Sequence, residues 1–414
     1  MAHIDRRERT NAKGETVRTY RVRWRGPDGK ERSKSFKRKG EADRFAATVS
    51  ADLVRGQYVD PSAGKVLFET YAKRWLAAQT FEEGTREQVE SRLRTHAYPV
   101  LGKRFINEIQ PSTIQGWLRT LEPLASTTRQ VIFANVSTVF TAAVDDSLIV
   151  ANPCRARSVR RPKVTRRKIV PWPRERVLKV RDELPTPYQL VVWLGAGLGL
   201  RQGEIFGLSP DDIDLSRGEV HVCRQVKLLG GNKQIFGLPK GRKTRYVPLP
   251  DAVLEAINAH MTARPPVEVT LPWDRSDGPL TTVSLLIYSR EKKSLGRTYF
   301  NMYIWKKALE RAGVEPTRAN GCHALRHFYA STALHEGESI KALSEYLGHS
   351  DPGFTLRTYT HLVEDSSQRT KRAVDAVFGH TTPDTDDESE AAEDSDADIS
   401  DDLDDDDEDE DGRP

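Results

Sequence analysis

The sequence predicts a multidomain chain, mainly α with small β-sheets (an α+β arrangement), that ends in a disordered acidic tail. Three observations carry this expectation. Period-two alternation is confined to short stretches near residues 17–36 and 219–250. Helical spacing of apolar residues covers most of the rest. After residue 380 apolar residues almost vanish, so that segment has nothing with which to build a core.

The first unit is expected over residues 1–63, as a three-stranded sheet plus a helix. In TVRTYRVRWRG, Val17, Tyr20, Val22 and Trp24 interleave with Arg18, Arg21, Arg23 and Arg25, giving mostly strand periodicity with one basic face. Pro27-Asp28-Gly29 reads as a hairpin turn, and KERSKSFK as the returning strand. Ala42, Phe45, Ala46, Val49 and Leu53 then recur at helical spacing. A basic sheet backed by one helix suits a nucleic-acid groove. VDPSAGK (59–65) reads as a linker.

Residues 64–156 are expected to form a bundle of about four helices. Phe68, Tyr71, Trp75 and Leu76 make one stripe, and Pro111-Ser112-Thr113 and Ser126-Thr127-Thr128 look like helix starts. The stretch NPCRARSVRRPKVTRRK is basic and punctuated by proline, and 157–168 reads as a linker. The third unit, 169–380, opens with PWPRERVLKVRDEL and an apolar helix pair broken by glycines, QLVVWLGAGLGLRQGEIFGL. EVHVCRQVK and LPKGRKTRYVPLP alternate as strands of one small sheet, and four further helices follow. The pattern leaves 265–295 unassigned.

Charge is segregated along the chain. Of 64 basic and 60 acidic residues, one base and nineteen acids lie after Thr381, which leaves 63 and 41 and a body charge of +22. Such a body seeks a polyanion, with nucleic acid as the leading candidate. Cys154, Cys223 and Cys322 are scattered without a CxxC pair, which argues against a zinc site or disulfide framework and fits a reducing compartment. No apolar run approaches ~18 residues and the N-terminus has no signal core, so a cytoplasmic protein with no membrane partner is expected.

Two motifs bear chemistry. In HALRHFYAS, His323 and Arg326 lie one helical turn apart on a shared face. His323 and His327 have metal-ligand spacing too, but Ala324 stands where a zincin needs glutamate, so no metal is expected. In GLGLRQGEIFGL, Arg201 occupies the turn between two helical segments, with Glu204 able to orient it. Paired guanidinium forks suit the non-bridging oxygens of one phosphodiester, where charge grows in a pentacoordinate transition state.

In chain order come Arg201 in LRQGE, Lys240 in PKGRKTRYVPL, His323 and Arg326 in HALRH, His349 in LGHSD and Tyr359 in TLRTYTHL. This series resembles the tyrosine recombinase family, specifically the phage and mobile-element integrases, over about residues 15–378. The resemblance implies an arm-binding domain at 1–63, a core-binding domain at 64–156 and a catalytic domain at 169–380. It implies a metal- and ATP-independent strand transferase with no cofactor. Tyr359 would form a 3′-phosphotyrosyl bond, Arg201 and Arg326 would clamp the phosphate, and Lys240 would protonate the leaving 5′-oxygen, with Lys243 second for that role. His323 would help move the tyrosine proton, and His349 would donate to a non-bridging oxygen. His327 is expected to support the fold or the phosphate network, and Tyr329 and Tyr346 the core. Ala324 departs from the acidic residue common after the first histidine, which implies tuning.

The implied partners are double-stranded DNA attachment sites, a homotetramer on DNA working through a Holliday junction, a host DNA-bending factor and an excision directionality factor. The bundle and catalytic domain would clamp the core site, and AVDAVFG (373–379) would dock on a neighbouring protomer. A resolvase would lack the arm sheet, a decayed regulator would have lost site residues, and a type IB topoisomerase would lack the arm and LGHSD context. The polar setting of Tyr359 past Gly348 reads as a weakly packed, movable segment.

The opposed charges of tail and body give an expectation of their own: the tail competes with DNA for the basic body. Truncation after His380 is expected to raise non-specific DNA affinity at low salt in a gel-shift titration. An unchanged affinity would refute it.

Overall fold

The structure is a computed structural model, and it describes residues 2–10, 16–27, 29–56, 58–60, 63–164, 169–349 and 351–359, with Lys371, Val374, Asp375, Val377 and Phe378 beyond. The expectations for most of 373–379 and for the acidic tail lie outside the described residues. The chain divides into two compact units, Met1–Arg166 and Arg167–Pro414. Among the described residues no helix is long and apolar enough to cross a membrane.

The first unit opens with an antiparallel sheet, β1 (His3–Thr10), β2 (Thr16–Arg25) and β3 (Glu31–Phe36), with β2 in the middle. Gly29, at φ 75°, closes the β2–β3 turn as its N–H donates to the Gly26 carbonyl. Tyr20, Val22 and Trp24 share one parity and pack on Ala42, Phe45, Ala46 and Val49 of helix α1 (Lys39–Val54). Strict alternation puts Arg18 on that same parity, not with Arg21, Arg23 and Arg25; it stays exposed near the strand's end and donates to Glu8. The arginine face also carries its own acids, since Arg23 pairs with Asp5 at 2.6 Å and Glu31 at 3.5 Å. A separate core fills the helices α2 (Phe68–Ala78), α3 (Glu83–Arg92, running on as a π-helical stretch Leu93–Gly102), α4 (Pro111–Thr120) and α5 (Ser126–Asp145). The expected stripe of Phe68, Tyr71, Trp75 and Leu76 is buried in it. Cys154 and Val159 are buried there as well, so the first residues of the basic stretch 152–168 pack as part of the bundle.

The second unit alternates helices with small sheets: α6 (Arg174–Glu183), α7 (Leu190–Leu198), α8 (Gln202–Phe206), β4 (Ile213–Asp214), β5 (Glu219–Val222), β6 (Gln225–Leu229), β7 (Lys233–Gly237), β8 (Arg245–Pro248) and α9 (Asp251–Ala263). Then come β9 (Val267–Pro272), β10 (Leu280–Leu285), α10 (Arg297–Tyr299), α11 (Lys306–Arg311), α12 (His323–His335), α13 (Ile340–Leu347) and α14 (Pro352–Tyr359). The expectation of one small sheet is corrected. The order β4-β5-β8 makes one sheet, and β6-β7 and β9-β10 are separate two-stranded ribbons. KQIFG escapes sequence reading because it is short and follows a Gly-Gly turn; β9 and β10 form the unassigned stretch. TLRTY also differs from expectation, because it is the end of helix α14 and not a loose segment.

Helix α7 is apolar all round and lies in the middle of this unit's core, against α12. Its end sets the backbone for the site. Gly199 turns left-handed at φ 62°, and a Cβ there would lie 2.4 Å from Tyr329 Cδ1. Gly199→Ala combines left-handed strain with that clash, so a loss of at least about 2 kcal/mol is expected. A urea midpoint equal to wild type, at unchanged slope, would contradict this.

Candidate active site at a helix C-terminus

Helix α13 ends at Gly348, which takes φ 65°; a Cβ on it would meet Arg245 Cδ at 3.0 Å. The last carbonyls of any helix have no partner within it, and here three guanidinium groups supply donors. Arg245 Nε donates to the Tyr346 carbonyl at 2.6 Å, Arg326 Nη2 to the Leu347 carbonyl, and Arg201 Nη2 to the Gly348 carbonyl at 3.5 Å. The three arginines come from β8, α12 and the residue capping α8. Arg326 is 1% exposed, and its Nη1 also donates to the Gly199 carbonyl at 2.8 Å.

Glu204 lies among these groups. Its Oε2 accepts the Arg201 backbone N–H at 2.9 Å and its Oε1 the Arg201 Nη1 at 3.3 Å. Arg245 makes a two-pronged contact to the same carboxylate at 2.8 and 2.7 Å. Burial pushes the Glu204 carboxyl up, but Arg245 first, then Arg201 and Arg326, overcome this and hold it at about 2. Burial likewise disfavours the Arg326 charge, and Arg201 and Arg245 add to that penalty. Three cations face one carboxylate, leaving two positive charges uncompensated within the cluster. A doubly charged phosphorane would balance them.

Helix α14 approaches the cluster through two histidines. Thr355, fully buried, bonds His349 Nδ1 at 2.7 Å through its hydroxyl, and His349 Nε2 lies 3.0 Å from Arg326 Nη2. Arginine can only donate, so Nε2 accepts and the neutral ring carries its proton on Nδ1, donating to Thr355. Four residues after Thr355, on the same face, Tyr359 is 1% exposed among Ala330, Leu334, Leu343 and Leu347. Its hydroxyl lies 2.8 Å from His327 Nδ1. Burial, and then the Arg326 charge, push the His327 imidazole down to about 4. His323 is exposed and packs edge-on against the His327 ring at 4.6 Å.

Arg326 and His349 therefore touch, Arg201 reaches the adjoining Gly348 carbonyl, and Tyr359 and His323 both contact His327, the residue after Arg326. Lys240 stands on the exposed turn Lys240–Arg242, five residues before Arg245, and Lys243 is exposed beside it. The polar, weakly packed setting expected for Tyr359 is corrected: threonine neighbours in sequence disguise a helix whose buried face carries Thr355 and Tyr359. Sequence reading missed Arg245, Thr355 and the hydroxyl contact of His327. Two signals could have found them. Arg245 is two residues before inward Val247 and so shares its face of β8, and Thr355 and Tyr359 are four apart.

Comparison with known proteins follows the same lines. The phage integrase family model matches residues 174–365, and the phage integrase central domain matches 68–158. The integrase of Mycobacterium phage L5 is 27% identical over 299 residues, covering 72% of this chain and 76% of that protein. The tyrosine recombinase XerA of Thermococcus kodakarensis is 30% identical over 231 residues, covering 54% of this chain and 70% of its own. Among solved structures, the Tn1549 transposon integrase in complex with transposon right-end DNA superposes with a TM-score of 0.61 at 19% identity, covering 76% of this chain and 100% of that one. A lambda integrase tetramer bound to a Holliday junction gives 0.55 at 17%, covering 83% and 96%.

The two depressed groups act in the same direction. His327 falls from an ordinary 6.5 to about 4, so the unfolded chain takes up a proton that the folded chain does not, and stability is lost as pH falls between those values. Glu204, down from 4.5 to about 2, adds a further loss below pH 4.5. Thermal melting is expected to drop progressively from pH 7 to pH 3. His327→Gln should flatten the upper part. Glu204→Gln, starting about 3–5 kcal/mol less stable, should flatten the lower. A melting temperature independent of pH in wild type would refute both assignments.

Proposed function

The chain belongs to the tyrosine recombinase family, and on that premise we propose how its residues carry out the reaction. The protein is a site-specific DNA recombinase of the integrase type, a tyrosine-type strand transferase. Tyr359 Oη attacks the scissile phosphate, forming a 3′-phosphotyrosyl bond and releasing a 5′-hydroxyl. The ester keeps the bond energy for rejoining to a second strand. Arg201 and Arg326 bind the non-bridging oxygens, while Glu204 and Arg245 hold the guanidinium planes in place. His349 releases Arg326 and moves its proton from Nδ1 to Nε2, so that Nε2 donates to an incoming phosphate oxygen while Nδ1 accepts from the Thr355 hydroxyl. Lys240 protonates the leaving 5′-oxygen, with Lys243 as second choice, and His323 serves the tyrosine end of the site. Residues 1–63 bind arm-type DNA through the arginines of β2, residues 64–156 and 169–380 bind the core site, and four protomers assemble on two duplexes. A host bending factor and a directionality factor complete the assembly.

What carries this reading is the convergence of Arg201, Arg245 and Arg326 around Glu204, with the Tyr359 hydroxyl bonded to the residue next to Arg326. The site thus sets a phenol beside an excess of buried positive charge, which is what transfer of a phosphodiester to tyrosine requires.

The test is a nicked suicide DNA duplex carrying the attachment site. Wild type is expected to accumulate a covalent protein–DNA adduct on a denaturing gel, and Tyr359→Phe to yield none while still shifting the DNA. Adduct formed by the phenylalanine variant would remove Tyr359 from the role of nucleophile.

A further inference from the structure

His327 is the imidazole that bonds the Tyr359 hydroxyl, at 2.8 Å through Nδ1, with ring centroids 5.7 Å apart. It follows Arg326 in the chain and lies one turn after His323, so α12 sends its phosphate-facing and tyrosine-facing groups out from adjacent positions. Among the described residues, the groups facing its ring include Arg326 and His323 from its own helix and Tyr359 from α14. Burial and the Arg326 charge keep the ring neutral at working pH, so one ring nitrogen carries a lone pair. With the ring proton on Nε2, Nδ1 accepts the phenol's hydrogen bond.

We propose that His327 is a catalytic residue of the cleavage step, the base that takes the Tyr359 proton as the phenol attacks DNA. The proposal rests on the reading of Tyr359 as nucleophile. In the step, the Oη–P bond forms and the P–O5′ bond breaks. The phenolic proton passes to His327 Nδ1, and the 5′-oxygen takes a separate proton from the general acid. A weakly basic imidazole suffices, because the phenolic proton becomes strongly acidic once Oη has begun to bond phosphorus. A phosphate anion at Arg326 also offsets the cation that depresses His327, so substrate binding strengthens the base. In the reverse step the imidazolium returns its proton to the departing phenol.

Single-turnover adduct formation on the suicide duplex tests this with wild type, His327→Asn, His327→Ala, His323→Asn and Tyr359→Phe. Asparagine offers an amide oxygen near the place of Nδ1, so it keeps a hydrogen-bond acceptor for Tyr359 but takes no proton. His327→Asn is expected to bind DNA as wild type does and cleave about 100-fold more slowly. Its rate should climb with pH between 7 and 9, where wild type stays flat, because hydroxide replaces the lost base. His327→Ala should show the same slope. A His327→Asn rate within about twofold of wild type would overturn the proposal. So would a slow variant with a flat pH profile, which would mean that His327 only places the phenol, or the new pH slope appearing in His323→Asn instead. Adduct formation by Tyr359→Phe would overturn the reading of the nucleophile itself, separately from these outcomes.

Discussion

The last carbonyls of α13 have no partner inside their own helix, and three arginines from three separate elements supply the missing donors. The helix end is electronegative, which favours cations there. Gly348 makes the arrangement possible, since its left-handed turn ends the helix and leaves room for the Arg245 side chain. Arg201, Arg245 and Arg326 are thus gathered by the fold before any substrate arrives. Glu204 offsets part of their repulsion and fixes two of the three planes.

This places a cost of folding where the chemistry needs it. Cations held near one another and away from water destabilise the folded chain, and in the proposed reaction their excess is what an anionic transition state relieves. Arg326 shows the balance best. It is buried, bonded to the Gly199 and Leu347 carbonyls, and touches His349. It is held by the backbone at the ends of α7 and α13, so its position is tied to the packing of the second unit's core.

Tyr359 is held by the same framework. Helix α14 docks through Thr355 on His349 and Tyr359 on His327, both of which adjoin Arg326 in space or in sequence. His349 thus touches both Arg326 and the residue that seats α14.

Much of the fold was legible in the sequence. The helical stripes of the bundle, the apolar α7, and the alternation in β2, β5 and β8 are local patterns imposed by burial of one face. The series Arg201, His323, Arg326, His349 and Tyr359 was legible as well, because each stands in a short motif with its own turn or helix signal. Less visible were β7, β9 and β10, whose short ribbons gain their stability from partners and not from their own alternation.

The sequence by itself determined which side chains carry charge and where the bundle helices at Pro111 and Ser126 start. Only the tertiary structure decided which groups touch. Arg245, Glu204 and the carbonyls of residues 346–348 come from segments far apart in the chain, and hydrogen bonds of this kind leave no periodic trace. Tyr359 makes the point most directly. Its threonine neighbours suggest exposure, yet burial is set by the face of α14 that meets α12 and α13, and so the phenol ends beside His327.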